Sequence, residues 1–380
     1  MISSPPMKRP KVVLLAQTPP PYHGQAVMQG YLVAEPWEWC DKVHIRMAFS
    51  QGIEDVGRFR LRKVVELCWV VACLVRERVA GPIDVAYYPP AGSSISAFLR
   101  DLVILPILVL FSKRVVLHYH SGGSRKLIER MPRAVRALAQ WLYAKVDLGI
   151  VLAHSLAADT FGINKERIIV LPNGVEEPPG VRFEGAGRST RALFVGTLVP
   201  EKGVLDLLGG LREARLRGAA IDLDLVGGFV SDRFRLECEA AIERFGLREC
   251  VRLHGVLVAG DKWALYRSAG MFVFPTYYPQ ENQPLVLIEA MMWGVPIIAT
   301  SWRAIPEMVT DANEAFLVQP HDVRAIGDRL ARLGSEPDLR SRMGLAARRR
   351  YEEQFSLRGH LDRMAAALRD ASTMVGVSSR

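Results

Sequence analysis

Two doubly wound α/β domains of parallel sheet, facing across a cleft, are the fold class this sequence predicts, on three observations. The chain is 380 residues long, more than one ordinary hydrophobic core serves. Short apolar runs alternate with longer helix-period stretches from end to end, the pattern of parallel strands covered on both faces by helices. One segment, 176–191 (EEPPGVRFEGAGRSTR), is rich in Pro, Gly and charge and has no periodicity, as an interdomain linker does.

In the first domain, 1–175, strands are expected at 11–16, 43–48, 85–88, 114–120, 148–152 and 168–171. In the second, 192–355, they are expected at 192–195, 222–226, 251–253, 271–274, 296–299 and 315–318. Helix-period stretches lie between them, among them 25–35, 61–80, 133–144, 204–217 and 233–245. No internal repeat interrupts this order. Ligands of such sheets bind outside the C-terminal ends of the strands, so the loops after strands are where chemistry is expected.

Composition narrows the classes. Hydrophobic residues are 49% and charged residues 23% of the chain, as in an ordered globular protein. The five cysteines are scattered and form no CxxC pair, which suits a reducing compartment and neither a disulfide framework nor a zinc site. A net charge of +9 favours an anionic partner, either nucleotide phosphates or an anionic membrane surface; an Arg-rich solvated surface is the plain alternative. Nucleic acid is disfavoured, because no basic run is interleaved with aromatics. The start of the chain reads as a first strand rather than a signal peptide, so the cytoplasm, including the inner face of its membrane, is the expected location. The apolar run 102–111 is too short to span a bilayer and Pro106 is expected to interrupt it. The stretch 61–80 has basic ends and reads as a core helix or as one lying on a membrane surface.

The loop after the first strand, TPPPYHGQAVMQG, lacks GxGxxG, which disfavours a dinucleotide-binding dehydrogenase. Its Gly24, just before a helix, is either a plain turn residue or a point where backbone amides approach an anion. His118 and His120 share one face of a strand at its C-terminal end. They are ligand-facing, a metal pair that lacks an evident third ligand, or two buried hydrogen-bonded histidines. Lys202 precedes Gly203 at a helix start and adds a point charge to phosphate-friendly amides. Gly227 ends one strand, and Gly255 with Val256 ends another; such glycines admit a ring or ribose, or simply turn the chain.

The richest stretch is 274–300, FPTYYPQENQPLVLIEAMMWGVPIIAT. Glu281 stands on a loop and Glu289 about one turn inside the following helix. Pro284 suits the helix start, because its missing NH would be unpaired anyway. The amides of Leu285, Val286 and Leu287 are expected to be free there, and with the helix dipole they suit a diphosphate. Carboxylates accept hydrogen bonds from hydroxyls, so Glu289 suits a ribose and Glu281 a sugar ring. Two acids also suit a glycoside hydrolase, but the amides between them favour a nucleotide sugar.

These residues, in this order, resemble the retaining glycosyltransferases of family 4, glycosyl transferases group 1, which have the GT-B architecture of two Rossmann-like domains. The resemblance covers nearly the whole chain. It rests on the Glu-x7-Glu segment continuing as EAMMWGVPIIAT and IPEMV, on LPNGV at 171–175, on VGTLVPEKG at 195–203, and on the loop before Gly24. It implies that domain 192–355 holds a nucleoside-diphosphate sugar and domain 1–175 a glycan or lipid-linked acceptor, with 356–380 crossing back onto the first domain. It implies no cofactor and no metal. Lys202 matches the phosphate-binding lysine, Glu289 the ribose acid, Glu281 the acid at the donor sugar, and Gly24 the glycine at the donor phosphate. His120 matches the histidine near the reacting face of the sugar, and His118 stands where the family often has Thr. Gly196, Thr197, Gly227, Gly255, Val256, Asn282, Gln283, Leu285 and Val286 are further residues expected at the donor. Two departures stand out. Thr197 replaces a common arginine, for which Arg303 is a candidate substitute. The usual EGFG is Glu281-Asn282-Gln283-Pro284, so that Asn282 and Gln283 become candidates for reading sugar hydroxyls.

The expected function is therefore transfer of a sugar, with retained configuration, from a nucleotide donor to a hydroxyl acceptor in polysaccharide, glycolipid or cell-envelope glycan synthesis. His120, Glu281 and Lys202 would act at the reacting centre, by front-face attack assisted by the leaving phosphate. A nucleotide-sugar epimerase of the same architecture, or a non-catalytic sugar-nucleotide-binding protein, are the alternatives.

Overall fold

The computed structural model describes residues 9–20, 24–49, 61–90, 92–179, 189–257 and 259–374. The chain forms two compact units, residues 1–172 with 358–380, and residues 173–357. Most of the expected linker, residues 180–188, lies outside the described residues.

The first unit runs β1 (Lys11–Ala16), α1 (Gly24–Ala34), β2 (Asp41–Arg46), α2 (Leu61–Ala80), β3 (Ile83–Tyr88), α3 (Ile95–Phe111), β4 (Ser112–Tyr119), α4 (Ser124–Glu129), α5 (Arg133–Tyr143), β5 (Leu148–Val151) and β6 (Ile168–Val170). Its sheet is wholly parallel in the order β2-β1-β3-β4-β5-β6. Valines, isoleucines and leucines without alternation make β1, β3 and β5 continuous buried runs, because both faces of the sheet are covered. The expected strand at 43–48 begins two residues earlier, at Asp41, whose amide donates to Pro10 O at 2.9 Å and starts the ladder with β1.

Helix α3 departs from expectation. Pro106 does not interrupt it; the helix continues through Pro106 to Phe111. Its two charged residues, Arg100 and Asp101, turn inward. Asp101 is fully buried and accepts from the Tyr88 hydroxyl at 2.5 Å and the Tyr143 hydroxyl at 3.1 Å, with Arg100 Nη2 at 3.2 Å. A buried carboxylate so satisfied fixes the rotation of the helix about its axis.

The second unit runs β7 (Ala192–Val195), α6 (Val204–Leu216), β8 (Leu223–Val226), α7 (Asp232–Arg244), β9 (Val251–Gly255), α8 (Ala259–Ser268), β10 (Met271–Phe274), α9 (Leu285–Met292), β11 (Ile297–Thr300), α10 (Ile305–Met308), β12 (Ala315–Val318), α11 (Val323–Ser335) and α12 (Pro337–Arg350). A last helix, α13 (Leu357–Thr373), belongs almost wholly to the first unit. The second sheet is also wholly parallel, in the order β12-β11-β10-β7-β8-β9. From β7 the chain steps outward through β8 and β9, then returns to β10 on the other side of β7. The strand order therefore reverses between β7 and β10, the place where open α/β sheets bind ligands. Stacked rings of Phe194, Phe274, Phe272 and Tyr266, with centroids 5.6–6.2 Å apart, fill the core beneath this point.

Replacing Asp101 with Ala leaves Arg100 and two tyrosine hydroxyls without their shared acceptor. Urea denaturation should show a loss of about 3 kcal/mol; an unchanged midpoint would remove this network from the supports of the first unit.

Candidate functional site

The site is built on the two loops that flank the strand reversal. After β7 the chain passes Gly196 and Thr197 and makes a short 3-10 turn, Pro200–Lys202. Gly203 follows in the left-handed region, with φ 73°. A Cβ on Gly203 would lie 2.1 Å from the carbonyl oxygen of Pro275, so only glycine lets the two loops meet. The amide of Tyr277 donates to Glu201 O at 2.8 Å and locks the approach. Lys202 is thereby delivered to Glu281, with which it forms a hydrogen-bonded ion pair. Its ammonium also lies 5.0 Å from the Phe274 ring centre and 5.2 Å from that of Tyr278.

Glu281 is held on three sides. Its carboxylate accepts from Thr276 Oγ1 at 3.1 Å as well as from Lys202. The hydroxyl of Thr300, at the end of β11, donates to Thr276 O and fixes that residue in turn. Arg303 donates from Nε to the backbone oxygen of Glu281 at 2.5 Å and from Nη2 to Asn282 Oδ1 at 3.3 Å. Arg303 adopts φ 48°, a conformation in which glycine is the ordinary occupant.

Glu289 lies inside α9, 8% exposed. Its Oε1 accepts from Lys262 Nζ at 2.8 Å and its Oε2 from the Tyr266 hydroxyl at 2.9 Å. Lys262 and Tyr266 sit four apart on α8 and so share one face of that helix. The stack of Tyr266 on Phe272 aims its hydroxyl. Each acid of the pair thus has a lysine and a hydroxyl as partners. That arrangement neutralises the negative charge beside the helix start and leaves further lone pairs able to accept from ligand hydroxyls.

Between the acids, Pro284 caps α9 and its carbonyl accepts from Leu287 N at 3.1 Å. Leu287 is therefore not a free amide as expected: the tight first turn consumes it. Leu285 and Val286 remain the first-turn donors. Gln283 is drawn inward, 7% exposed, where its Oε1 accepts from Asn173 N at 2.6 Å. This bond gives the LPNGV motif a structural explanation. Asn173 holds the acidic loop, and Gly174 leaves room for the backbone of Ser356, whose oxygen would lie 2.5 Å from a Cβ there.

The glycine ends of β7, β8 and β9 are tied to one another. Gly196 N donates to Val226 O at 3.0 Å and Gly227 N to Gly255 O at 2.8 Å. A Cβ on Gly227, φ 145°, would lie 1.9 Å from Gly196 O. Val256, just beyond, is 75% exposed. So Gly196, Thr197, Gly227, Gly255 and Val256 lie at strand ends of the second unit, Lys202, Glu281, Asn282 and Gln283 on the loops after β7 and β10, and Leu285, Val286 and Glu289 in α9. Lys262, Tyr266, Thr276 and Thr300 were not anticipated from the sequence. The four-residue spacing of Lys262 and Tyr266 was the one available signal.

Gly24, His118 and His120 belong to the first unit. Gly24 opens α1 and is exposed. His118 ends 1% exposed, its Nδ1 2.8 Å from the Tyr87 hydroxyl. His120 Nε2 lies 3.4 Å from the same hydroxyl, and the two imidazole centres are 3.9 Å apart. Burial, with His120 and His360 nearby, drives His118 well below the usual histidine range. His360, on α13, has its Nδ1 2.7 Å from Pro172 O; burial pushes its pKa down to about 4, against the opposing pull of that carbonyl. The folded chain thus takes up a proton on His360 less readily than the unfolded chain does. Its contribution is complete above the unfolded value near pH 6.5 and is lost as pH falls toward about 4. The loss should reach on the order of 3 kcal/mol. His360→Asn should lose less stability than the wild type between neutral pH and the acid end of that window. Equal losses would show that His360 is not the titrating group.

Comparison with known proteins identifies a domain family and a fold. Residues 184–350 match the family model of glycosyl transferases group 1. The chain is 32% identical over 230 residues to the MMP alpha-(1→4)-mannosyltransferase of Mycolicibacterium hassiacum, covering 60% of this chain and 53% of that one. It is 27% identical over 166 residues to CapM of Staphylococcus aureus, a capsular polysaccharide biosynthesis glycosyltransferase, covering 43% and 41%. The aligned segments span 23% to 67% of the lengths of the curated relatives they match. The crystal structure of Anabaena HepE in complex with UDP superimposes with a TM-score of 0.73 at 16% identity, over 95% of this chain and 100% of that one. From its two parallel six-stranded sheets and its matched C-terminal segment, the chain has the GT-B fold and carries, at residues 184–350, a glycosyl transferases group 1 domain.

Proposed function

We propose that this protein is a glycosyltransferase that moves a sugar from a nucleoside-diphosphate sugar to a hydroxyl acceptor in polysaccharide or cell-envelope glycan synthesis, with retained anomeric configuration. The observation that carries the reading is the pair of lysine-partnered carboxylates, Lys202–Glu281 and Lys262–Glu289, on either side of the start of α9. A diphosphate needs positive charge and amide donors; Lys202 and the Leu285 and Val286 amides supply them. A ribose and a sugar ring need acceptors; Glu289 and Glu281 supply those. The relatives support the same reading: one is named for mannosyl transfer, one for capsular polysaccharide biosynthesis, and one neighbour was solved with UDP.

In the reaction, the bond from the anomeric carbon to the diphosphate oxygen breaks while the acceptor oxygen bonds to the same face of that carbon. The leaving diphosphate carries the growing negative charge and takes the acceptor's proton. Lys202 must turn from Glu281 toward that charge, which frees Glu281 for a sugar hydroxyl. Once turned, Lys202 with the Leu285 and Val286 amides would stabilise that charge as it develops, a role that does not call for a metal. His118, which burial holds well below the usual histidine range, and His120 beside it would position a substrate rather than attack it.

Thermal shifts with UDP-, GDP-, ADP- and TDP-sugars should identify one preferred donor base, because a ligand that binds only the folded state raises its melting point. With that donor, Glu289→Ala should weaken nucleotide binding by about tenfold or more in calorimetry. Lys202→Ala should lower kcat/KM by roughly a hundredfold or more, and EDTA should leave turnover unchanged. An inverted product by NMR would overturn the retaining reading. Isomerisation of the donor without acceptor would replace transfer with epimerisation.

A further inference from the structure

Three helices of the first unit cover one face of its sheet with their apolar side chains turned outward. The crossovers β2 to β3, β3 to β4 and β4 to β5 all step in one direction along the sheet. Right-handed crossovers in one direction place α2, α3 and α5 on the same face, and α3 packs against both of the others. A helix in that position ordinarily presents polar residues to solvent. Here the exposed positions of α3 are Ile95, Leu99, Val103 and Leu110, the last 77% exposed, while its charged residues are pinned inside around Asp101. Along α2 the outward stripe includes Val65, Trp69 and Val79, the last 83% exposed. Trp141 is exposed on α5.

The charges on these helices are sorted by sign. None of their three acids is exposed: Glu66 accepts from Ala48 N, Glu77 pairs with Lys11 and with Arg76, and Asp101 is buried. Every exposed charge is basic, namely Arg62, Arg76, Arg78, Arg133 and Arg136. An apolar stripe with tryptophans and a basic border matches an anionic bilayer, where the stripe enters the interface and the arginines meet lipid phosphates. A second copy of the same surface would bring like charges together. Among the described residues no helix is long and apolar enough to cross a membrane. We propose that the α2–α3–α5 face is a docking surface for an anionic lipid bilayer.

The proposal is independent of the donor site and is tested on the full chain by flotation with phosphatidylcholine vesicles, with or without phosphatidylglycerol. The wild type should float with the anionic vesicles and bind neutral ones about tenfold less at physiological salt. A Leu99→Glu/Leu110→Glu/Trp141→Glu variant should lose at least about tenfold in binding. Arg133→Gln/Arg136→Gln should weaken binding to the anionic vesicles alone. A nucleotide-induced thermal shift equal to that of the wild type shows that each variant is folded. Failure of the wild type to float, or equal binding by the triple variant, overturns the proposal. So does a wild-type dimer in sedimentation that the triple variant dissociates without any lipid binding, which would assign the face to a second copy.

Discussion

The candidate site depends on one close approach. The loops after β7 and β10 meet so tightly that position 203 has no room for a side chain against the Pro275 carbonyl. That contact delivers Lys202 to Glu281, and the Thr276–Thr300 bond braces the acid from behind. Each partner comes from a different strand end, so the arrangement exists only because the sheet reverses its strand order between β7 and β10.

Charge balance explains why two carboxylates stand beside a helix start suited to an anion. Alone, they would repel a diphosphate. With Lys202 on one and Lys262 on the other, the acids keep their hydrogen-bond acceptors while their net charge is offset. The burial of both pairs keeps water from screening them, which makes pairing more consequential than at a surface. Arg303, on the loop after β11, adds a further positive group beside Glu281, in a backbone conformation that a non-glycine residue adopts only when its surroundings hold it there.

The first unit shows a different distribution of polarity. Its interior holds the hydrogen-bonded polar groups, Asp101 with Tyr88 and Tyr143, and His118 with Tyr87. Its helical surface on one side holds the apolar ones. These two facts are linked, because anchoring Asp101 inward turns the opposite, apolar edge of α3 outward. Helix α3 is therefore apolar on both faces, with Phe98, Ile104, Leu105 and Leu108 buried around Asp101 and Ile95, Leu99, Val103 and Leu110 exposed.

All twelve strands and their parallel arrangement were legible in the sequence, with ends displaced by a residue or two. Period and burial are local properties, and unbroken apolar runs between helical stretches leave few alternatives. The placement of Glu281 on a loop and Glu289 one turn inside α9 was legible for the same reason. The partners were not: Lys202 lies 79 residues from Glu281, and Lys262 lies 27 from Glu289. Nor could local sequence show that Gln283 turns inward to Asn173, 110 residues away, or that the tight turn at Pro284 consumes the Leu287 amide. The sequence by itself determined the elements, their order and the residue types available at strand ends. Only the tertiary structure decided which of those residues touch, because contact across a sheet depends on strand order and loop packing, which no short window of the chain contains.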